Sequence, residues 1–282
     1  MTGAYLRQQG WELRKLAARP RTWLGFAASL LVEIALVALY RATSLEDVLG
    51  RHYWRIPAGL TDGFSGLTAA TYVTAETMAL VTPLFLALVA GDIVANESEE
   101  RTLHMILARP VSRGAVLAQK LVACCLYTIV LALFVGVTSL VLALAVNGPG
   151  SLVMVSARES IIGVHDFATG LRRYGFAMGM LAYCCLTFTL LAFMLSCWRM
   201  KPGAATVTAA AIVIFDQTIR VMPGFVELAP YSLTTRLLTW RQAFHDVIPW
   251  LRIERNLGQL LWIDVALVAA AWLVFRRREV SG

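Results

Sequence analysis

The sequence predicts an all-α integral membrane protein with six transmembrane helices. Composition is the first reason: 58% of the 282 residues are apolar and 15% are charged, against roughly 45–50% and about 25% in an ordinary soluble domain. Length of apolar runs is the second. A helix needs about 20 mostly apolar residues to cross a hydrocarbon core about 30 Å thick. Six stretches qualify, at 23–40, 72–95, 117–146, 174–198, 203–220 and 257–275. The third is where the positive charge sits. A net charge of +7 is compatible with a nucleic-acid partner, but the basic residues gather beside the apolar spans and read as topology signals. Together these exclude disorder, a collagen-like or disulfide-rich secreted module, a soluble globular fold and a nucleic-acid function.

Taken in order, residues 1–21 form an amphipathic helix. Leu6, Leu13, Leu16 and Ala17 share one face, and Arg7, Glu12, Arg14, Lys15 and Arg19 occupy the other. Such a helix lies in the membrane interface with its basic residues among anionic head groups; a generic membrane anchor would show the same pattern. Pro20 ends it and turns the chain into the first span. That span is read as retained rather than as a signal peptide. It is too long for a typical apolar h-region, Glu33 interrupts it, and Tyr40-Arg41 stand where a small-residue cleavage site would be expected. Pro83 bends the second span. The third exceeds one crossing, so it projects beyond the bilayer or tilts.

Six crossings put both termini on one side. That side carries Arg7, Arg14, Lys15, Arg19, Arg21, Arg101, Arg109, Arg113, Lys120, Arg199, Lys201, Arg276, Arg277 and Arg278, which are 14 of the 25 basic residues. The remainder are spread through longer loops that weigh less in orientation. Both termini are therefore expected in the cytoplasm. The outer loops, 41–71, 147–173 and 221–256, are long enough for short helices, and Ser44-Leu-Glu-Asp reads as one such start.

The loop 96–116 between the second and third spans is the most informative segment. Glu97, Glu99 and Glu100 precede Leu103, Ile106 and Leu107. Acids suit the start of a short helix, and the apolar spacing gives it one greasy face. Arg109-Pro110 ends that helix, and Ser112 caps the next one, which continues through Lys120 into the third span. A short stiff helix between two spans is built to receive a push from a soluble partner, although composition alone favours a solvated hairpin.

The pattern Asp-Ile-x-x-x-Glu-x-Glu-x-x-Thr-Leu-x-x-x-Leu-x-x-Pro-x-Ser-Arg, from Asp92 to Arg113 and followed by Lys120, resembles the coupling loop of type-2 ABC (ATP-binding cassette) transporter permeases. Glu12-Leu-Arg-Lys-Leu-Ala-Ala-Arg-Pro resembles the elbow helix of those subunits, and Leu228-Ala-Pro-Tyr-Ser a stretch found outside before their last span. The resemblance implies a permease subunit that couples ATP hydrolysis elsewhere to export across the membrane. Two copies of an ABC ATPase and a second permease, identical or similar, would be its partners, with a further outer-face partner suggested by loop length. Glu97, Glu99, Glu100, Thr102 and Leu103 would meet the ATPase, while Arg109, Pro110, Ser112 and Arg113 shape the turn. Arg101 stands where a glycine usually precedes Thr-Leu, and would alter pairing with Glu97 or Glu100 or select a particular ATPase. No Gly-x-x-x-x-Gly-Lys-Ser/Thr phosphate loop is present. The chain is thus read as non-catalytic, with no cofactor of its own, and ATP and Mg belong to the partner.

Four acids fall inside spans: Glu33, Glu76, Asp216 and Asp264. Ionisable residues there usually face a bundle interior, a wet cavity or a partner. One reading is an acidic outer vestibule on the substrate pathway, suited to cationic or amphiphilic cargo; local pairing, such as Asp216 with Arg220, is the other. Thiolates suit soft metals, but Cys124-Cys125 and Cys184-Cys185 are adjacent pairs whose members point apart on a helix. With Cys197 they are read as small hydrophobes, and no metal site is predicted. The rival functions are a stand-alone channel or secondary transporter, and an intramembrane protease built on Gly63-Phe-Ser65-Gly. The protease lacks a histidine at membrane depth, since His52, His104, His165 and His245 all fall in loops.

Overall fold

The computed structural model describes residues 2–42, 65–99, 112–156, 161–198, 200–222, 224, 225, 227 and 231–277. Helices α1 (Thr2–Ala18) and α2 (Pro20–Ala42) are separated by Arg19 alone. Pro20 has no N–H to offer the Leu16 carbonyl, which is what breaks the helix. The freed acceptors are taken by side chains: the Thr22 hydroxyl donates to Leu16 O at 2.6 Å, and the Trp23 indole N–H to Ala17 O at 2.8 Å. The corner is therefore hydrogen-bonded rather than loose.

The second apolar stretch is two helices, α3 (Gly66–Leu80) and α4 (Thr82–Glu99), bent by 41° just before Pro83. Helix α5 (Arg113–Asn147) has 35 residues and so spans ~52 Å at 1.5 Å per residue, well beyond one hydrocarbon core. Its exposed apolar residues Val122, Leu126, Val130, Leu133, Val137 and Val141 recur every three or four positions, a continuous stripe on one helix face. Gly148 ends α5 at φ +75°, a conformation that favours glycine.

A hairpin follows where the sequence suggested only short helices. Strands β1 (Leu152–Ser156) and β2 (Ile161–His165) pair antiparallel, Leu152 opposite His165 and Ser156 opposite Ile161. The outer edge of β1 is satisfied by α3 rather than by a third strand. Thr68 Oγ1 donates to Ser151 O at 3.0 Å and accepts from Val153 N at 2.9 Å, and the Tyr72 hydroxyl bonds Val155 O and N at 3.2 and 3.1 Å. Borrowed hydroxyls thus complete a backbone that would otherwise be an open edge.

Helix α6 (Phe167–Cys197) is the hub; 72% of its most apolar stretch is buried, against 17% for the last helix, α9 (Trp250–Arg277). Between them lie α7 (Pro202–Val221), the short α8 (Leu233–Leu237) and a 3-10 helix, Thr239–Phe244. Two apolar clusters stack along the bundle. One holds Val37, Leu67, Met154, Trp240 and Phe244 at the hairpin end, the other Leu16, Leu86, Leu117, Phe193 and Phe275 at the end carrying α1. Gly91 lets α4 and α7 meet closely: a Cβ there would stand 2.7 Å from Thr206 Oγ1.

Four helices, α2, α5, α6 and α9, are long and apolar enough to cross a membrane, and the bent α3–α4 pair makes a fifth. Helix α7, 20 residues carrying Asp216 and Arg220, is not among them. The described residues thus give four or five candidate spans where the hydropathy of the sequence suggested six.

Candidate functional site

The last turns of α4 and the first turns of α5 are the two limbs of the 96–116 loop, and both are tied to α1. Lys120, on α5, is wholly buried, yet its charge is met from two other helices: its ammonium lies 2.7 Å from Glu97 Oε2 on α4 and 3.4 Å from Glu12 Oε2 on α1. Lys15, one turn along α1, lies 3.3 Å from Glu12 and 3.5 Å from Glu97. The four side chains form an alternating ring of two acids and two bases. Lys120 also donates to Ile93 O at 3.4 Å. Beside the ring, Arg21 at the start of α2 pairs with the buried Asp92 of α4 at 2.6 Å. Gln119 donates to Gln8 at 2.6 Å, and Gln9 to Gln119 O at 3.2 Å.

This arrangement follows from placement. Pro20 folds α1 back across the bundle end, which turns Gln8 and Glu12 toward the bundle, keeps Lys15 at the exposed edge of the ring and leaves Trp11, 64% exposed, facing out. Burying charge is costly unless partners are supplied, and here each charge has one. Removing Lys120 strips the buried Glu97 of its nearer partner and leaves it only the exposed Lys15; deleting one member of a buried pair costs about 3–5 kcal/mol in measured cases. The cluster therefore ties α1, α4 and α5 to one another.

Of the residues expected at a partner surface, Glu97 is turned inward to Lys120 and Lys15, whereas Glu99 is exposed. Ser112 caps α5, its Oγ accepting from Ala115 N at 3.2 Å, and both it and Arg113 are exposed. Glu100, Arg101, Thr102, Leu103, Arg109 and Pro110 lie outside the described residues, as does the helix start read at Ser44. The Lys120 partnership was not foreseen, although a lysine at the mouth of an apolar span demands an acid somewhere.

The four acids within apolar stretches do not converge in one chain. Glu33 is buried between α2 and α5, against Thr138 and Ser139. Asp264 on α9 faces Thr187 of α6. Asp216 does not pair with Arg220 but holds the start of α8: its carboxylate accepts from Ser232 Oγ at 2.7 Å, Leu233 N at 3.1 Å, and Thr234 N and Oγ1 at 2.6 and 2.5 Å. Glu76 alone of the four lines a groove of about 1000 Å³ opened by the α3–α4 bend and walled by α6, α7 and the 3-10 helix. Arg220, Arg241 and Gln217 share that groove. Cys184 and Cys185 line it as free thiols.

Ser65 is a helix cap. Its Oγ accepts from Thr68 N at 3.2 Å and donates to Ser151 O, while His165 Nε2 contacts Phe244 O at 3.1 Å. Among the described residues the hydroxyl is committed to capping the start of α3, not to a base.

Apolar helices with exposed greasy stripes, bound together at one end by buried ion pairs, define a multi-pass membrane protein. Residues 10–215 match the family described as ABC-2 family transporter protein. That is well over half of the chain, and the chain belongs to this ABC-2 transporter family of membrane permeases. Over 87 residues it is 33% identical to a protein of Bacillus subtilis (strain 168) described as uncharacterized protein YhcI. The aligned stretch is 30% of this chain and spans only 28% of that relative's length.

Proposed function

We propose that this permease is driven through its 96–116 loop by a separate ATPase, and that it exports its cargo as a pair of such subunits in the bacterial inner membrane. Helix α7 supplies the sixth crossing, which places both termini and the loop in the cytoplasm. Helix α1 is the interfacial elbow. The observation that supports this reading best is the ring of Glu12, Lys15, Glu97 and Lys120. A loop clamped at both limbs passes displacement into the bundle, because packed helices move between discrete arrangements rather than deform.

In this mechanism ATP binding closes two ATPases, each pressing on one loop through Glu99, Glu100, Thr102 and Leu103, with Arg101 setting partner choice. Arg109, Pro110, Ser112 and Arg113 hold the turn. Glu97 acts behind the contact, passing the push to Lys120 and so to α5 and α1. The bent α3–α4 pair leads from the loop straight to the groove, so a shift of α4 changes the groove's width. Cargo must bind the two states differently for any coupling to arise. The test is charge reversal, Glu99→Lys with Glu100→Lys. Copurification of an ABC ATPase should be lost while membrane insertion is kept; retained copurification overturns the contact assignment. A channel or secondary transporter would instead give solute flux in vesicles containing only this chain.

A further inference from the structure

The groove beside the α3–α4 bend joins an apolar floor to an aromatic mouth. Leu86, Phe188 and Val213 belong to the apolar cluster toward the ion-pair end, and Tyr40, Tyr72 and Trp240 to the one toward the hairpin. At the mouth the rings of Tyr40 and Tyr72 stand with centroids 6.3 Å apart, inclined at 50°. The Tyr72 ring is pinned, because its hydroxyl bonds both the carbonyl and the amide of Val155. Glu76 follows Tyr72 by one turn on the same face of α3 and lies within electrostatic reach of Tyr40. Its carboxylate makes no hydrogen bond or ion pair among the described residues, whereas Arg220 and Arg241, which share the lining, each have a partner already. Glu76 is thus the charged lining group whose pairing is left to an occupant.

Gln217 on α7 adds a second open acceptor: its buried Oε1 receives no hydrogen bond among the described residues. A carboxylate beside two aromatic faces suits a cation, which the ring quadrupoles attract as well. An open amide oxygen on the same groove favours a cation that still carries N–H donors. From Gln217 down to Ala210 along α7 is ~10 Å at 1.5 Å per residue, and the wall there is apolar. The volume of about 1000 Å³ lies at the upper end of ligand pockets, roughly 300–1,000 Å³, so a tail fits below the head.

We propose that this groove binds a single-tailed primary amine. Its ammonium pairs with Glu76 against the faces of Tyr40 and Tyr72, Gln217 accepts a further N–H, and the tail lies along Phe188, Ala210 and Val213. Of the four acids within apolar stretches, Glu76 alone takes this part. The inference deepens the transport reading and rests on it only for the claim that the occupant is cargo, since binding needs no ATPase.

The test is native mass spectrometry of the purified full chain in neutral detergent, with three probes of equal chain length: dodecylamine, dodecyltrimethylammonium and laurate. Dodecylamine should bind about tenfold or more tightly than laurate, the strength of one charge-assisted contact. Glu76→Gln should remove that preference while laurate binding stays, a selective loss that misfolding does not produce. Tyr40→Leu should weaken both cations about twofold to fivefold. Gln217→Leu should weaken dodecylamine and spare the trimethylated probe, which has no N–H to give. Ala210→Trp should fill the floor and weaken all three. Equal binding of dodecylamine and laurate, a preference that survives Glu76→Gln, or indifference to Ala210→Trp overturns the proposal. The cargo claim is read separately, in vesicles that also contain the ATPase: ATP should drive dodecylamine across with the parent protein and not with Glu76→Gln. Binding without ATP-driven movement would overturn that claim alone and leave the amine site standing.

Discussion

Replacing Lys120 by methionine keeps an unbranched side chain one heavy atom shorter and removes the charge from a site with no solvent exposure. At an effective dielectric of about 20, opposite unit charges 2.7 Å apart attract by about 6 kcal/mol. Desolvation offsets part of this, and deleting one member of a buried pair costs about 3–5 kcal/mol in practice. Lys15 remains 3.5 Å from Glu97 and 3.3 Å from Glu12, so the low end, about 3 kcal/mol, is expected. The companion Glu97→Gln/Lys120→Met should recover most of that loss, because Glu12 and Lys15 then balance each other and no acid is stranded. Unfolding in mixed micelles by SDS titration, followed through the 8 tryptophans, reads both. A Lys120→Met protein within about 0.5 kcal/mol of the parent, the range of ordinary surface substitutions, would refute the clamp. So would a double variant whose loss is the simple sum of the two single ones.

Three further outcomes follow from the hydrogen bonds. Thr22→Val leaves the Leu16 carbonyl at the α1–α2 corner without its hydroxyl donor and should cost about 1–3 kcal/mol in the same titration. Asp216→Ala strips the start of α8 of its acceptor and should lower protection against hydrogen exchange across 231–238 by about 2 kcal/mol; unchanged protection would show that α8 is held by packing instead. Hydrogen bonds from the Thr169 hydroxyl and amide hold the Asp166 carboxyl below its usual range. A folded value lower than the unfolded one, about 3.9, gives stability that is present above that value and lost as pH falls through the folded one. Amide protection at the start of α6 should therefore decline at acid pH, and Asp166→Ala should abolish that dependence.

The helices were legible in the sequence because hydropathy is a local property. The break at Pro20, the bend at Pro83 and the cap at Ser112 were legible for the same reason: a missing N–H or a well-placed hydroxyl acts within one turn. What local pattern could not supply was partnership across the chain. Glu97 reads as a solvated acid beside Glu99, and only the return of α1 over the bundle end brings Lys15 and Lys120 to it. Asp216 and Arg220 are one turn apart and suggest each other, but α8 offers the aspartate two N–H groups and two hydroxyls, which outcompete a single guanidinium. The hairpin at 152–165 was hidden because its edge is completed by Thr68 and Tyr72, residues that look like ordinary span positions. Family membership entered through motif spacing around the 96–116 loop, and the match over residues 10–215 agrees with it.

The most direct test places a photo-reactive residue at position 99, exposed at the end of α4, and irradiates intact cells. A loop that works as an ATPase-driven lever predicts a covalent adduct with an ATP-binding cassette protein on the cytoplasmic side, strengthened when ATP is trapped. An adduct formed only with an external protein, or none in a cell that still transports, would contradict it.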